Sequence, residues 1–356
     1  MEAPRAAGTE VDRLMGTEVA AALTRHVDPA AVRTDLAACL DAIATRVCAS
    51  PSVIPPELTG VLAGGKRLRP LLVLAVVHSA GRASPAARRR AVGAATAVEL
   101  LHVASLVHDD IMDGAAVRHH AATINARAGN GRALLAGDLL IGHAHAAAAE
   151  VGAAAAGIIG STLVRLCEGQ AEETSARYDV GRTERSYRRA IAGKTGSLFD
   201  ASCRLGAIAA GRDAATADAL GRFGMRLGIA FQLADDLLDA EPARVLDKPV
   251  GQDLAAGVYT YPTLWAMRRD PQLRGLLSRL DGRAGTDRAR LLDEAALRIR
   301  CGGALVVTRQ VIERQLTRSL RSLGALGGAG VALLEDVARA VGAPRGPDSS
   351  AAGVPL

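Results

Sequence analysis

Apolar residues return every three or four positions through most of the chain, the period of a helix with one buried side; strict alternation, which would mark strands, is scarce. Residues 10–48 carry this period as one or two amphipathic helices, and the proline-bearing PSVIPPE at 51–57 ends them. GGKRLRP at 64–70 opens the run LLVLAVVH, whose length suits helix or strand but whose surroundings favour helix. After a loop at Gly81–Pro85, a long helix is predicted over 86–113. The polar GAAVRHHAATINARAGNG then reads as a loop. Further helices are predicted at about 133–150, 155–175 and 183–210, and through ATADALGRFGMRLGIAFQLADDLLD. Pro242, Pro249, Gly251 and Gly257 mark another loop. Residues 260–340 return to amphipathic helix, with turns near Asp270-Pro271, Gly282 and Gly302-Gly303. The pattern predicts an all-α chain, a single domain over 1–342 and a flexible tail at 343–356.

Composition sharpens this picture. Only 2% of residues are aromatic, so an interior cavity would be walled by aliphatic side chains and alanine, which suits a flexible hydrocarbon better than a stacked ring. The net charge of +6 is compatible with anionic substrates or nucleic acid. Nucleic acid is disfavoured because the basic residues accompany acidic clusters and lack interleaved aromatics. The five cysteines form no CxxC pair, which points to a reducing cytoplasm. The first residues carry no apolar signal segment. The closest approach to a membrane span, His143–Gly160, is interrupted by His145 and Glu150, so no transmembrane segment is expected. Peripheral contact with a membrane stays open, because an apolar product must leave.

Two acidic clusters of one shape carry the chemistry: Asp109-Asp110-Ile111-Met112-Asp113 and Asp235-Asp236-Leu237-Leu238-Asp239. Positions i, i+1 and i+4 of a helix are read here as three carboxylates along one side, able to grip divalent cations and self-repelling without them. Acids at a helix C-terminus oppose its dipole and need compensation. Mg²⁺ is the expected ion, since it favours carboxylates, water and phosphate oxygens. His108 and the His119-His120 pair make zinc conceivable, but local packing and capping explain them more simply. Lys66, Arg67, Arg69, Arg118, Lys194 and Lys248 supply phosphate-binding cations. Thr195 and Gln232 gain interest only from lying beside Lys194 and the second cluster.

With GGKRLRP, LHVASLVHDDIMD, NARAGNGRALLAGDLL, AGKT, FQLADDLLD and KPVGQDLAAGVYTYP in this order, the chain resembles the all-trans polyprenyl diphosphate synthases of the isoprenyl diphosphate synthase family over residues 60–340. The resemblance implies an isoprenoid synthase bundle surrounding a deep central cavity, and Mg²⁺-dependent head-to-tail condensation of isopentenyl diphosphate with an allylic diphosphate, repeated to a long product. It assigns Asp109, Asp113 and Asp235 to the principal Mg²⁺-bridging positions of a three-ion site, with Asp110, Asp236 and Asp239 in support. Arg118, Lys194, Thr195, Gln232 and Lys248 are implied for the allylic diphosphate, and Lys66, Arg69 and His102 for isopentenyl diphosphate. A homodimer is implied as well.

Ala104 and Ser105, five and four places before the first aspartate, stand where the family sets tunnel depth; neither is an aromatic plug, so products of C30 to C50 are expected. Two departures stand out. The usual Arg-Arg-Gly becomes Arg118-His119-His120, leaving His119 where an arginine would contact isopentenyl diphosphate, and Val258 replaces a common lysine. A neutral His119 would donate one hydrogen bond without arginine's fixed charge. The alternatives are a geranylgeranyl or other short-chain synthase, a terpene cyclase or other prenyltransferase of the same fold, and a noncatalytic subunit of a heteromer. The last would be expected to lose its acidic clusters, and both are intact here.

Overall fold

The computed structural model describes residues 3–54, 65–118, 121–241, 251–282, 285–324, 326 and 329–342. The tail at 343–356, His119, His120 and Lys248 lie outside them. The chain divides into two compact units: residues 1–164 with 198–225 and 320–341, and residues 165–197 with 226–319 and 342–356.

The first unit begins with three helices rather than one or two, α1 (Ala3–Met15), α2 (Glu18–Thr24) and α3 (Pro29–Cys48). Thr17 and Asp28 cap α2 and α3 by accepting from the backbone N–H of Ala20 and Ala30. The ambiguous apolar run is helical: α4 (Leu68–Ser79) buries Leu71 through Val77 without a break. Its entry is tight, for Arg67 holds a left-handed backbone, φ 45°, ψ 39°. α5 (Pro85–Asp113) starts with Ser84 as cap and Pro85 in its first turn, and buries an alanine-rich side against α3, α4 and α7 (Asn130–Val151). Gly137 of α7 permits that approach, since a Cβ there would lie 2.1 Å from the His108 ring. α5 stops at Gly114, in the left-handed conformation (φ 61°), where the N–H groups of Gly114 and Ala115 both bond back to the carbonyl of Asp110.

The segment after the first cluster, expected as loop, holds a minimal antiparallel pair, β1 (Val117–Arg118) and β2 (Ala121–Ala122), with Arg118 opposite Ala121. α6 (Ile124–Ala128) follows. α7 ends at Gly152 (φ 146°), which divides the His143–Gly160 stretch between two helices. Among the described residues α5 is instead the helix long and apolar enough to cross a membrane, and 67% of that window is packed inside the protein. α8 (Ala153–Ser175) completes this stretch of chain.

The helix predicted at 183–210 is interrupted. α9 (Glu184–Ile191) runs into a π-helical turn, Ala192–Gly196, before α10 (Ser197–Ala209). α11 (Ala214–Ala240), α12 (Gln252–Ala255), α13 (Tyr261–Met267), α14 (Pro271–Leu277), α15 (Gly285–Cys301), α16 (Ala304–Arg321) and α17 (Ala329–Gly342) follow. The core of the second unit gathers Tyr187, Leu233, Leu237, Tyr259, Leu264, Leu277, Ile299 and Ile312.

Candidate active site

The first cluster closes α5 in the first unit. At about 100° per residue, i and i+4 share a side but i+1 turns away, so the three carboxylates do not line one side of the helix, contrary to the expectation from their spacing. Asp110 is buried and accepts from Arg118 Nε at 2.7 Å, while Asp109 is half-buried and Asp113 exposed. Asn125 donates to the carbonyls of Asp110 (3.2 Å) and Ala115 (3.0 Å), tying the following loop to the helix end. Arg118 thereby supplies the compensation that an acidic helix terminus requires.

His102 lies half-buried two turns before the cluster, and Ser105 Oγ donates back to its carbonyl at 2.7 Å. Ala104 is fully buried. The three cations of GGKRLRP separate. Lys66 is exposed; Arg69 is half-buried, its guanidinium 5.6 Å from the Phe199 ring centroid, and burial lowers its pKa to about 10, so it stays charged at neutral pH. Arg67 is not a phosphate cation: it is buried and bound to Glu99 (2.8 Å) and Glu10 (3.2 Å). Arg13 of α1 donates to the Gly65 carbonyl at 2.8 Å, so the N-terminal helix braces the loop carrying Lys66. His108 serves packing, with Nε2 3.3 Å from the Leu134 carbonyl.

The second cluster closes α11 in the second unit and repeats the division. Asp235 is exposed, Asp236 buried, Asp239 half-buried. Both oxygens of Asp236 are engaged: Oδ2 accepts from the Tyr187 hydroxyl and Oδ1 from Gln232 Nε2 at 2.9 Å. Gln232 Oε1 accepts from Thr195 Oγ1 at 2.6 Å, so Thr195, Gln232 and Asp236 form one chain. Asp239 accepts from the backbone N–H of Gln252 (3.0 Å) and Asp253 (3.1 Å). Lys194, in the π-helical turn, lies 2.5 Å from Glu173.

Four residues of this half carry no signal of their own in the sequence: Glu173, Arg182, Tyr187 and Asp253. Asp253 does fall inside the KPVGQDLAAG segment, which could have flagged it. Burial raises Asp253 to about 8 and Asp236 to about 7, and neighbouring carboxylates push the same way. Such a group of acids takes up protons or cations. Among the described residues no three His, Cys, Asp or Glu converge into a metal cage. The exposed carboxylates of the two clusters are hard oxygen donors offered singly, Asp113 in the first unit and Asp235 in the second. That fits Mg²⁺, which keeps several waters and binds through one or two carboxylates together with phosphate oxygens.

A cavity of about 820 Å³ lies elsewhere in the first unit, lined by His78, Arg82, Arg88 and Arg212 among others. Arg88 lies 21 residues before Asp109 on α5, which is about 30 Å at 1.5 Å per residue.

A polyprenyl synthetase family model matches residues 57–297. A nonaprenyl diphosphate synthase of Mycobacterium tuberculosis is 33% identical over 300 residues, spanning 83% of this chain and 88% of that protein. Heptaprenyl diphosphate synthase component 2 of Geobacillus stearothermophilus is 40% identical over 207 residues, 58% of this chain and 63% of that protein's length. The structure of a decaprenyl diphosphate synthase from Rhodobacter capsulatus matches with a TM-score of 0.79 at 29% identity, over 94% of this chain and 100% of that one. A polyprenyl synthase from Caulobacter crescentus CB15, complexed with calcium and isoprenyl diphosphate, gives 0.78 at 29% identity over 94% and 98%. The fold is the all-α isoprenoid synthase fold, and the chain belongs to the polyprenyl synthetase family of prenyltransferases.

Proposed function

We propose that this chain joins isopentenyl diphosphate to an allylic diphosphate head-to-tail, with Mg²⁺, and repeats the step to give a long all-trans polyprenyl diphosphate. The carrying observation is the division of labour in the clusters. In each cluster the middle carboxylate is buried on a protein donor, Asp110 on Arg118 and Asp236 on Tyr187 and Gln232, while Asp113 and Asp235 are exposed. Bound Mg²⁺ supplies charge neutralisation of the departing diphosphate. Lys194 and Arg118 add fixed positive charge where negative charge develops as the allylic C–O bond breaks. Lys66 and Arg69, with His102, hold the isopentenyl diphosphate so that its double bond attacks the allylic carbon. Proton loss to a diphosphate oxygen completes a chain five carbons longer. Lys248 and His119 keep their implied contacts, to the allylic and the isopentenyl diphosphate, within this reading.

Ala104 and Ser105 are small side chains at the positions that the family resemblance ties to tunnel depth, which supports a product beyond C20. This reading carries a reducing cytoplasm as the compartment, supported by five scattered cysteines without a CxxC pair. It is read as a homodimer, because Leu134 and Leu135 of α7 are 52% and 58% exposed, an apolar surface that a second copy would cover.

Purified protein given Mg²⁺, labelled isopentenyl diphosphate and a panel of allylic primers should release diphosphates of C30 to C50, read by chromatography and mass, and EDTA should abolish turnover. A C20 end product would correct the length. Cyclised product, or none without an added partner chain, would overturn the reading.

A further inference from the structure

Tyr187 and Arg182 take no part in the assignments above, yet the second unit places both behind its aspartates. Tyr187 is 2% exposed and donates its hydroxyl to Asp236 Oδ2. Burial holds its pKa well above the usual tyrosine value, so it remains a donor at every working pH. Gln232 donates to the other oxygen, which fixes the Asp236 carboxylate in one orientation. Tyr187 also belongs to α9, which continues directly into the turn bearing Lys194 and Thr195. The phenol therefore ties the segment carrying Lys194 to the helix carrying Asp235. Thr195 to Gln232 is the second tie between the same two elements.

Arg182 backs this tie. It is 7% exposed, its guanidinium carbon stands 5.6 Å from the Tyr187 ring centroid, and Nη1 donates to the Tyr259 carbonyl at 3.0 Å. Its Nε and Nη2 are buried and make no hydrogen bond among the described residues. A buried guanidinium with two unused donors is unfavourable for folding alone. Here it lies in the field of Glu173, Tyr187, Asp236 and Glu172. The cation thus packs against the ring whose hydroxyl holds Asp236.

We propose that Tyr187, backed by Arg182, is a positioning residue for the allylic half of the reaction: its hydroxyl locks Asp236 and so holds Asp235 on α11 in register with Lys194 and Thr195. This rests on the prenyltransferase reading above, and it concerns one substrate only. Lys66 and Arg69, the cations assigned to isopentenyl diphosphate, stand on other elements, so their substrate should not feel the change.

The test is Tyr187→Phe, which keeps the ring and its contact with Arg182 while removing the hydroxyl. Turnover is followed as pyrophosphate release, which registers ionisation of an allylic diphosphate whatever the final product; failure of chain elongation in the wild type is thereby separated from failure of this pair. The expected result is a KM for the allylic diphosphate and a half-saturating Mg²⁺ concentration both raised about tenfold, with the KM for isopentenyl diphosphate unchanged. As a readout apart from activity, Mg²⁺ titrated with an unreactive allylic thiodiphosphate should stabilise the variant against heat only at correspondingly higher Mg²⁺. Arg182→Lys should fall between wild type and Arg182→Met on the same measures. A wild-type Mg²⁺ curve and wild-type KM values in Tyr187→Phe would overturn the proposal. So would an equal rise in both KM values accompanied by a lowered melting temperature without metal, the mark of a merely structural tyrosine.

Discussion

The six clustered aspartates divide into two kinds because a helix turns through about 100° per residue. In each cluster the middle residue points into the protein and needs a donor, and each finds a different one: Asp110 takes a guanidinium, Asp236 a phenol and an amide. The difference has a consequence for pH. An arginine partner neutralises charge, whereas a phenol and an amide do not, and the second cluster also faces Asp253. With folded values of about 7 for Asp236 and about 8 for Asp253, against 3.8 for an ordinary aspartate, the native chain binds protons that the unfolded chain has already released. Without metal, stability therefore falls as pH rises from about 4 through 8. Melting in EDTA between pH 5 and 9 should show a decline on the order of a few degrees. Asp253→Asn should flatten it, and a level wild-type profile would contradict these environments.

The π-helical turn at Ala192–Gly196 shows how an element can depend on a distant one. A Cβ on Gly169 of α8 would lie 2.7 Å from the backbone nitrogen of Lys194, and one on Gly193 would lie 2.6 Å from the Arg165 carbonyl. Two glycines thus let α8 and the turn touch backbone to backbone, and the widened turn sets Lys194 against Glu173. The apolar period across 183–210 reads as one uninterrupted helix, because a single extra residue in one turn hardly disturbs a pattern of that length. What signals the bulge is a close contact made by residues two dozen positions earlier. Gly169→Ala should overpack this contact and lower stability by about 1–3 kcal/mol. Thermal melting checks that figure, and a raised KM for the allylic diphosphate checks that Lys194 has moved. Arg67 teaches the same lesson in reverse: its place in GGKRLRP suggested phosphate binding, but a left-handed backbone turns it inward to Glu99 and Glu10.

At the level of the complete chain, one acidic cluster belongs to each compact unit, and the likeness to known synthases covers nearly the full length. The helix most able by composition to cross a bilayer, α5, is mostly packed inside and ends in the first cluster. The exposed leucines of α7 lead to a prediction about assembly. Leu135→Glu should convert the proposed dimer to monomer in sedimentation velocity, at protein concentrations where the wild type stays associated. A wild type that already sediments as a monomer would remove the dimer from the reading.

The all-α class, most helix positions and the two aspartate clusters were legible in the chain because each depends on local spacing: a period of 3.6, a cap, a glycine at a helix end. Ordered motifs were enough to name the family. Which aspartate turns inward, which arginine is consumed by an internal acid, where a helix widens by one residue, and that Tyr187 stands beside the second cluster were not legible. Each of these depends on partners far away in sequence, and such contacts exist only once packing has excluded water and forced buried polar groups to find one another.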